Sequence, residues 1–284
     1  MTAVLFALSS ALTYGLSDFV GGLLSRRTSA WAVAVVGQTS ATGCTIVVAA
    51  LVQGTPGPGD FAWAALAGVG SGVGTGFLYR GFAAGRMSVV APVSAVGAAI
   101  VPAFAGILGG ERPSVTVWLG VACALPAIWL VSATSGQPTD KASRVATSTR
   151  AGVADGVLAG LGFGALFAAL GQVPEQAGLW PLAAAQAVSV PTVIVLAVVL
   201  RAAWQPRGRY VWWAFLVGPL GATATGAFLL ASQSGFLTVA GVLASLYPAT
   251  TVLLAAIVLH ERIHRAQGLG LGLCALAVGL VAAG

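Results

Sequence analysis

GFLYRGFAAGRMSVVAPVSAVGAAIVPAFAGILGGERPSVTVWLG runs from Gly76 to Gly120, and GAFLLASQSGFLTVAGVLASLYPATTVLLAAIVLHERIHRAQGLG runs from Gly226 to Gly270. Adding 150 to Gly76, Gly85, Val89, Ala105, Ile107, Glu111, Arg112 and Gly120 lands on Gly226, Gly235, Val239, Ala255, Ile257, Glu261, Arg262 and Gly270. The chain is a tandem duplication. Each copy reads as a long apolar run, a Glu-Arg pair and a second apolar run, the layout of paired membrane-spanning helices rather than of a water-soluble core.

Composition agrees. Of 284 residues, 58% are hydrophobic and 7% charged, and the mean hydropathy is +0.95, whereas a soluble domain carries about a quarter charged residues. Spans of about 20 residues fit ten times, over 2–24, 30–52, 61–84, 88–109, 115–135, 153–173, 179–200, 210–232, 236–259 and 265–283, five in each copy. The expected fold is all-α and integral to the membrane, with a first repeat over 1–135, a polar linker over 136–150 and a second repeat over 151–284. The first run opens at Met1 without a basic leader and is followed by Arg26 and Arg27 instead of a small-residue cleavage site, so it reads as a retained span. Cys44, Cys123 and Cys274 each fall inside a span without CxxC spacing and read as packing residues.

The net charge of +6 is topological. The basic residues punctuate the ends of apolar runs rather than clustering with aromatics on a soluble face, which argues against nucleic acid as a partner. Odd-numbered connections hold Arg26, Arg27, Arg86, Lys141, Arg144, Arg150, Arg201, Arg207, Arg209, Arg262 and Arg265, and the even-numbered ones hold only Arg112. The positive-inside rule therefore places the odd connections in the cytoplasm of a cell with this chain in its inner membrane, and both termini outside. Five spans per copy make the second repeat enter the bilayer from the opposite side. The repeats are inverted, an arrangement that lets two similar halves rock about a site near the midplane.

Gly85 to Glu111 with Arg112 beyond, and Leu246-Tyr247-Pro248 leading to Glu261-Arg262 and Gly268/Gly270, resemble the EamA repeat of the drug/metabolite transporter superfamily. Tyr14-Gly15-Leu16-Ser17-Asp18-Phe19 is similar to the opening of such proteins. The resemblance covers both halves and implies a ten-span carrier, while leaving the substrate open, because similar proteins move amino acids, sugars, nucleotides and drugs. It also implies cytoplasmic termini, against the arginine count, which we follow. One departure stands out: the proline thirteen residues before the second glutamate, Pro248, is Ala98 in the first copy. A bend is expected at Pro248, with Pro92 and Pro102 supplying bends in the first half.

Ionisable groups inside a membrane are costly, and each is a functional candidate. Asp18 lies eight residues before Arg26, and Arg80 six before Arg86. At 1.5 Å per residue both sit about 9–12 Å inside the same boundary, at a depth where they can pair. Asp18 facing a central cavity is a candidate proton site, where poor solvation and a neighbouring arginine act in opposite directions; the plainer reading is local capping, with Arg80 snorkelling. Among neutral groups, Tyr14, Gln38, Tyr79, Gln172, Gln186, Ser232, Gln233 and Tyr247 are candidates to line a pathway or bind helices together. Tyr247 leads them, because Pro248 frees a carbonyl one turn earlier. Pro92 and Pro248 are the expected bends, and Glu111 and Glu261 the expected helix-end anchors or gate contacts.

Two motifs point elsewhere. His260-Glu261-Arg262-Ile263-His264 fits the HExxH zinc-protease pattern, but the matching residues of the first copy are Gly110-Glu111-Arg112-Pro113-Ser114, so the glutamate belongs to the repeat and the histidines are incidental. Gly68, Gly72 and Gly76 sit four apart inside a glycine-rich run that fails GxGxxG spacing; they read as a smooth ridge for close helix contact, as do Gly268 and Gly272. The resulting expectation is a carrier without metal or cofactor, monomeric or weakly dimeric, moving a small organic solute, with protons as a possible coupling partner. The first, third, fourth, sixth, eighth and ninth spans should line the site, with Trp31 and Trp180 as interface anchors. The scarcity of charge favours neutral or zwitterionic cargo. A membrane protease and a non-transporting sensor are the alternatives.

Overall fold

Short polar breaks set the helix starts. Ser29 precedes α2 (Ala30–Leu51) and its hydroxyl accepts the Ala32 N–H at 3.5 Å. Pro58 opens α3 (Pro58–Ala83), where its fixed φ suits the first helical position, and the Asp60 carboxylate turns back to accept the Gly57 N–H at 2.8 Å. The computed structural model describes residues 1–84, 87–132, 142–258 and 264–283. The other helices are α1 (Thr2–Ser25), α4 (Met87–Leu108), α5 (Val115–Ser132), α6 (Ala142–Leu170), α7 (Trp180–Val199), α8 (Val217–Gln233), α9 (Leu237–Ala244), α10 (Tyr247–Val258) and α11 (Arg265–Ala283). A 3-10 segment, Tyr210–Leu216, leads directly into α8.

Among the described residues nine segments are long and apolar enough to cross a bilayer, and α5 adds a shorter apolar helix. Leu5, Val47, Phe104, Trp129, Val195 and Leu276 lie exposed on the outside of the bundle. A water-soluble protein rarely exposes so much apolar surface, and here it meets lipid. Tyr79, Phe82, Phe167 and Phe228 are among the largest side chains fully enclosed at the centre.

The ninth span is two helices. α9 ends at Ala244 and α10 begins at Tyr247; Pro248, four residues after Ala244, has no N–H to give that carbonyl. The matching stretch of the first repeat has Ala98, and α4 continues unbroken through it while carrying Pro92 and Pro102 in its interior.

The most extensive helix contacts are made between the two copies. Neighbours across α1 and α8 run in opposite order, with Gly235 against Ala3, Thr225 on Tyr14 and Val217 near Ser17. α3 and α6 likewise run antiparallel, Gly70 lying against Leu166 and Gly74 against Phe163. By contrast α3 runs parallel to α7, Gly68 meeting Val188 and Gly72 meeting Thr192, and α2 runs parallel to α8, Gly37 meeting Val217 and Gly218 meeting Ser40. The third helix of one repeat can align with the second helix of the other only if the repeats cross the bilayer in opposite senses. These registers make the fold two inverted five-helix repeats.

Glycines permit the contact. A Cβ added to Gly162 would lie 2.5 Å from the Gly74 nitrogen, and one added to Gly72 would lie 2.6 Å from Thr192 Cβ. Gly68, Gly72 and Gly76 do form one ridge, turned toward α7 and Trp31. Gly268 and Gly272 do not: a Cβ at either meets open space. Trp31 is no interface anchor either, being 4% exposed and set edge-on to Phe77 with ring centroids 6.0 Å apart. Trp180, 39% exposed at the start of α7, keeps a partly outward position.

Candidate functional site

Polar residues at helical spacing converge where the repeats meet. α1 contributes Tyr14, Ser17 and Asp18, one turn apart; α3 contributes Ser71, Thr75 and Tyr79, each four residues after the last; α8 contributes Val217, Gly221 and Thr225 at the same spacing. That period puts each set on one face of its helix. Together with Gln38 of α2, Phe163 of α6 and Gln186 of α7 they wall a cavity where the two repeats meet.

Its hydrogen bonds cross helices. Gln38 Nε2 donates to Ser71 Oγ at 2.9 Å and to Thr75 Oγ1 at 3.2 Å, fixing α2 against α3. With the Thr225 hydroxyl proton assigned to its shortest contact, the Gly221 carbonyl at 2.7 Å, Thr225 Oγ1 accepts from the two other groups beside it: the Tyr14 hydroxyl at 3.0 Å and Gln186 Nε2 at 3.4 Å. That assignment turns the other end of the amide, Gln186 Oε1, to a place where it is buried and meets no donor among the described residues.

Asp18 is 6% exposed and is the one charged side chain among the described residues of the cavity wall. Arg80 does not pair with it. The guanidinium instead clasps Asp155 of α6 with both Nε, at 2.8 Å, and a terminal nitrogen, while stacking over the Phe77 ring 4.5 Å from its centroid. Asp155 is 1% exposed and went unnoticed in the sequence, although it lies one turn into the apolar part of α6, which begins at Ala151, and Arg80 lies near the end of α3.

Other expected positions lie apart from the cavity. Tyr247 stands behind Tyr14, ring centroids 6.4 Å apart, and its hydroxyl is 2.7 Å from Ser94 Oγ of α4. Gln172 follows α6 in a turn and bonds back to the Ala168 carbonyl at 3.4 Å. Gln233 ties α8 to the Val173 carbonyl at 3.1 Å, and Ser232 bonds within its own helix to the Leu229 carbonyl. Pro92 lies inside α4 and Pro248 in the first turn of α10. Glu111 reaches across to the other repeat, where it takes the N–H of Leu237 and, at 3.0 Å, of Thr238, at the start of α9. Glu261, with His260, Arg262 and Ile263 of the HExxH pattern, lies outside the described residues.

The cavity is displaced toward one end of the bundle. Asp18 and Tyr79 lie in the last third of α1 and α3, and Val217 and Ala34 at the beginnings of α8 and α2, all toward the odd-numbered connections. At the opposite end Gly235 lies against Ala3 and Glu111 on α9, which closes that end with direct contact between the repeats, and Gly171 packs under the Leu237 side chain within the second repeat.

A solved crystal structure shares this fold at a TM-score of 0.69, over 99% of this chain and 95% of its own, with 17% of residues identical. No curated protein matches the sequence. The sequence model of the EamA-like transporter family matches residues 1–133 and again 150–283, and with both copies covered the chain belongs to that family of membrane transporters.

Proposed function

We propose that the chain carries a small organic solute across the inner membrane by alternating access, through the cavity between α1, α2, α3, α6, α7 and α8. The observation that carries this reading is the cavity's position: both repeats wall it, and at either end a polar contact joins one repeat to the other. Arg80–Asp155 ties α3 to α6 at the odd-numbered end, and Glu111 ties the α4–α5 connection to α9 at the other. Two inverted halves can exchange one closed end for the other while the solute site stays in place. With the odd connections cytoplasmic, as the arginine distribution argues, the state described here is sealed on the outer side.

Asp18 is the proposed coupling group. A carboxylate alone among the charged groups of the cavity wall is where an ion gradient gains purchase on the solute site, and a proton gradient is the natural driving force for export. The test is flux from liposomes holding the purified chain. A solute identified by thermal-shift screening should move faster under an imposed pH gradient, and Asp18→Asn should remove the gradient dependence. A chain that moves no stabilising solute in either direction would overturn the carrier reading; unchanged gradient dependence in Asp18→Asn would remove the coupling role.

A further inference from the structure

We infer that the cavity is built for a small organic monocation, an amine whose ammonium group sits on the Asp18 carboxylate and whose further donor is taken by Gln186 Oε1. This rests on the reading of the cavity as the solute site and names the class of solute.

Three features point the same way. Asp18 brings the cavity's one charge, and no ion pair or hydrogen bond engages its carboxylate among the described residues. A buried carboxylate left unpaired is costly and is relieved by a proton or by a bound cation, so among charged occupants the wall favours a positive one. The counter-charge that the sequence offered, Arg80, is held by Asp155 and Phe77 and is not part of the wall. Gln186 is 3% exposed and its Oε1 is a buried acceptor that meets no donor among the described residues, so an occupant toward which the amide turns can satisfy it with an N–H or O–H. The rest of the wall is uncharged, with the hydroxyls and amide of Ser17, Gln38, Ser71, Thr75 and Thr225 beside the aromatic rings of Tyr14, Tyr79 and Phe163, which can lie against a cation's apolar body.

The same wall disfavours other classes. An anion meets Asp18 with no cation to receive it, and a zwitterion satisfies Asp18 but leaves its own carboxylate without a positive partner. A neutral solute leaves Asp18 as it was. A bare divalent metal seeks several oxygen ligands, where the wall has one carboxylate.

The experiment uses the purified full chain in detergent and three probes of nearly one shape: phenethylamine, 2-phenylethanol and 3-phenylpropanoate. Isothermal titration and thermal shift should register the amine alone at a concentration where the alcohol and the carboxylate give no signal. Asp18→Asn should weaken the amine at least about tenfold, as expected for loss of a charge-assisted contact, while Asp18→Glu retains binding. Gln186→Leu should weaken it several-fold and Gln186→Glu should not. To separate lost binding from misfolding, each variant is first checked for an unchanged elution profile and melting transition. Equal or tighter binding of the alcohol or the carboxylate overturns the inference, as does wild-type amine affinity in Asp18→Asn, or no binding of primary, secondary or quaternary amines, which would leave the proton as the cation that Asp18 serves. Amine binding without amine flux in liposomes sinks the carrier reading and leaves this one standing; flux of a neutral solute without amine binding does the reverse.

Discussion

Glu111 caps a helix of the opposite repeat through Thr238. Its Oε2 accepts the Thr238 N–H at 3.0 Å and the Thr238 hydroxyl at 2.7 Å, and its Oε1 accepts the Leu237 N–H. These are the first donors of α9, which have no partner within the helix, and a carboxylate there also meets the positive end of the helix dipole. Gly106 leaves the room: a Cβ on it would lie 2.8 Å from Thr238 Oγ1. A helix cap, usually a local matter, is here an attachment between the two halves.

Replacing Glu111 therefore tests an inter-repeat joint. Glu111→Gln keeps the shape and one set of acceptors but loses the charge, and should cost about 1–2 kcal/mol of stability. Thr238→Ala removes one hydroxyl and leaves both backbone bonds, with a loss of about 0.5–1.5 kcal/mol. Melting of the detergent-solubilised variants should rank Thr238→Ala above Glu111→Gln and Glu111→Gln above Glu111→Ala. A Thr238→Ala variant as damaged as Glu111→Ala would mean that the backbone bonds contribute nothing.

At the other end the Arg80–Asp155 pair makes a contrasting prediction. Asp155 is buried, so Arg80→Met takes the cation from a buried carboxylate and should destabilise by on the order of 1–3 kcal/mol, discounted from the fully buried case because the arginine side chain is 36% exposed. Asp155→Leu combined with Arg80→Met should recover much of the loss, since replacing both members of a buried pair with apolar groups is often nearly neutral. A melting experiment on the two singles and the double measures this directly. A double variant no better than Arg80→Met alone would show that the aspartate has further duties than this pair.

These two joints divide what the sequence disclosed from what it concealed. Span count, duplication and inversion were legible because they depend on period, length and parity, all of which survive in one dimension. Asp18, Gln38, Tyr14, Tyr79 and Gln186 could be singled out because polar groups in apolar runs are rare. The partner of Arg80 could not, because two acidic residues lie at compatible depths and only the packing of α3 on α6 selects Asp155. Ser71 and Thr75 were hidden in a glycine-rich run whose spacing drew attention to the glycines, although their own spacing to Tyr79, four and eight residues, was a visible helical stripe. Gly268 and Gly272 carry the same spacing as the true ridge and meet nothing, which shows that spacing proposes a face without saying what lies against it.

That difference between glycines is itself testable. Gly162→Ala places a Cβ 2.5 Å from the Gly74 nitrogen, a backbone atom in the tightest crossing of α3 and α6, and should lose at least about 2 kcal/mol or fail to accumulate in membranes. Gly268→Ala and Gly272→Ala, with open space at the new methyl, should stay within about 0.5 kcal/mol of the parent or gain slightly from helix propensity. Expression level and melting temperature of the three variants decide it.

The break between α9 and α10 separates a moving part from a merely tolerated defect. The Ser245 N–H reaches the Gly241 carbonyl at 3.1 Å and the Leu246 N–H reaches Leu243 at 3.1 Å, closing α9; helical bonding resumes when the Ala249 N–H meets Leu246 at 2.9 Å. Pro248 is the residue that cannot donate back to Ala244, the last residue of α9. Beyond the break the Thr251 hydroxyl lies between the Tyr247 carbonyl of its own helix at 3.2 Å and the Gly15 carbonyl of α1 at 3.3 Å, which sets α10 against α1 one turn before the cavity residue Asp18. A hinge here would let α10 swing with α1 while α9 stays fixed under Glu111. Pro248→Ala restores the missing donor, so it should leave stability unchanged or raise it by up to about 1 kcal/mol, yet slow flux several-fold by stiffening the span. Flux and melting temperature measured on the same preparation separate the cases: equal flux with equal stability would show that the broken helix serves packing and not motion.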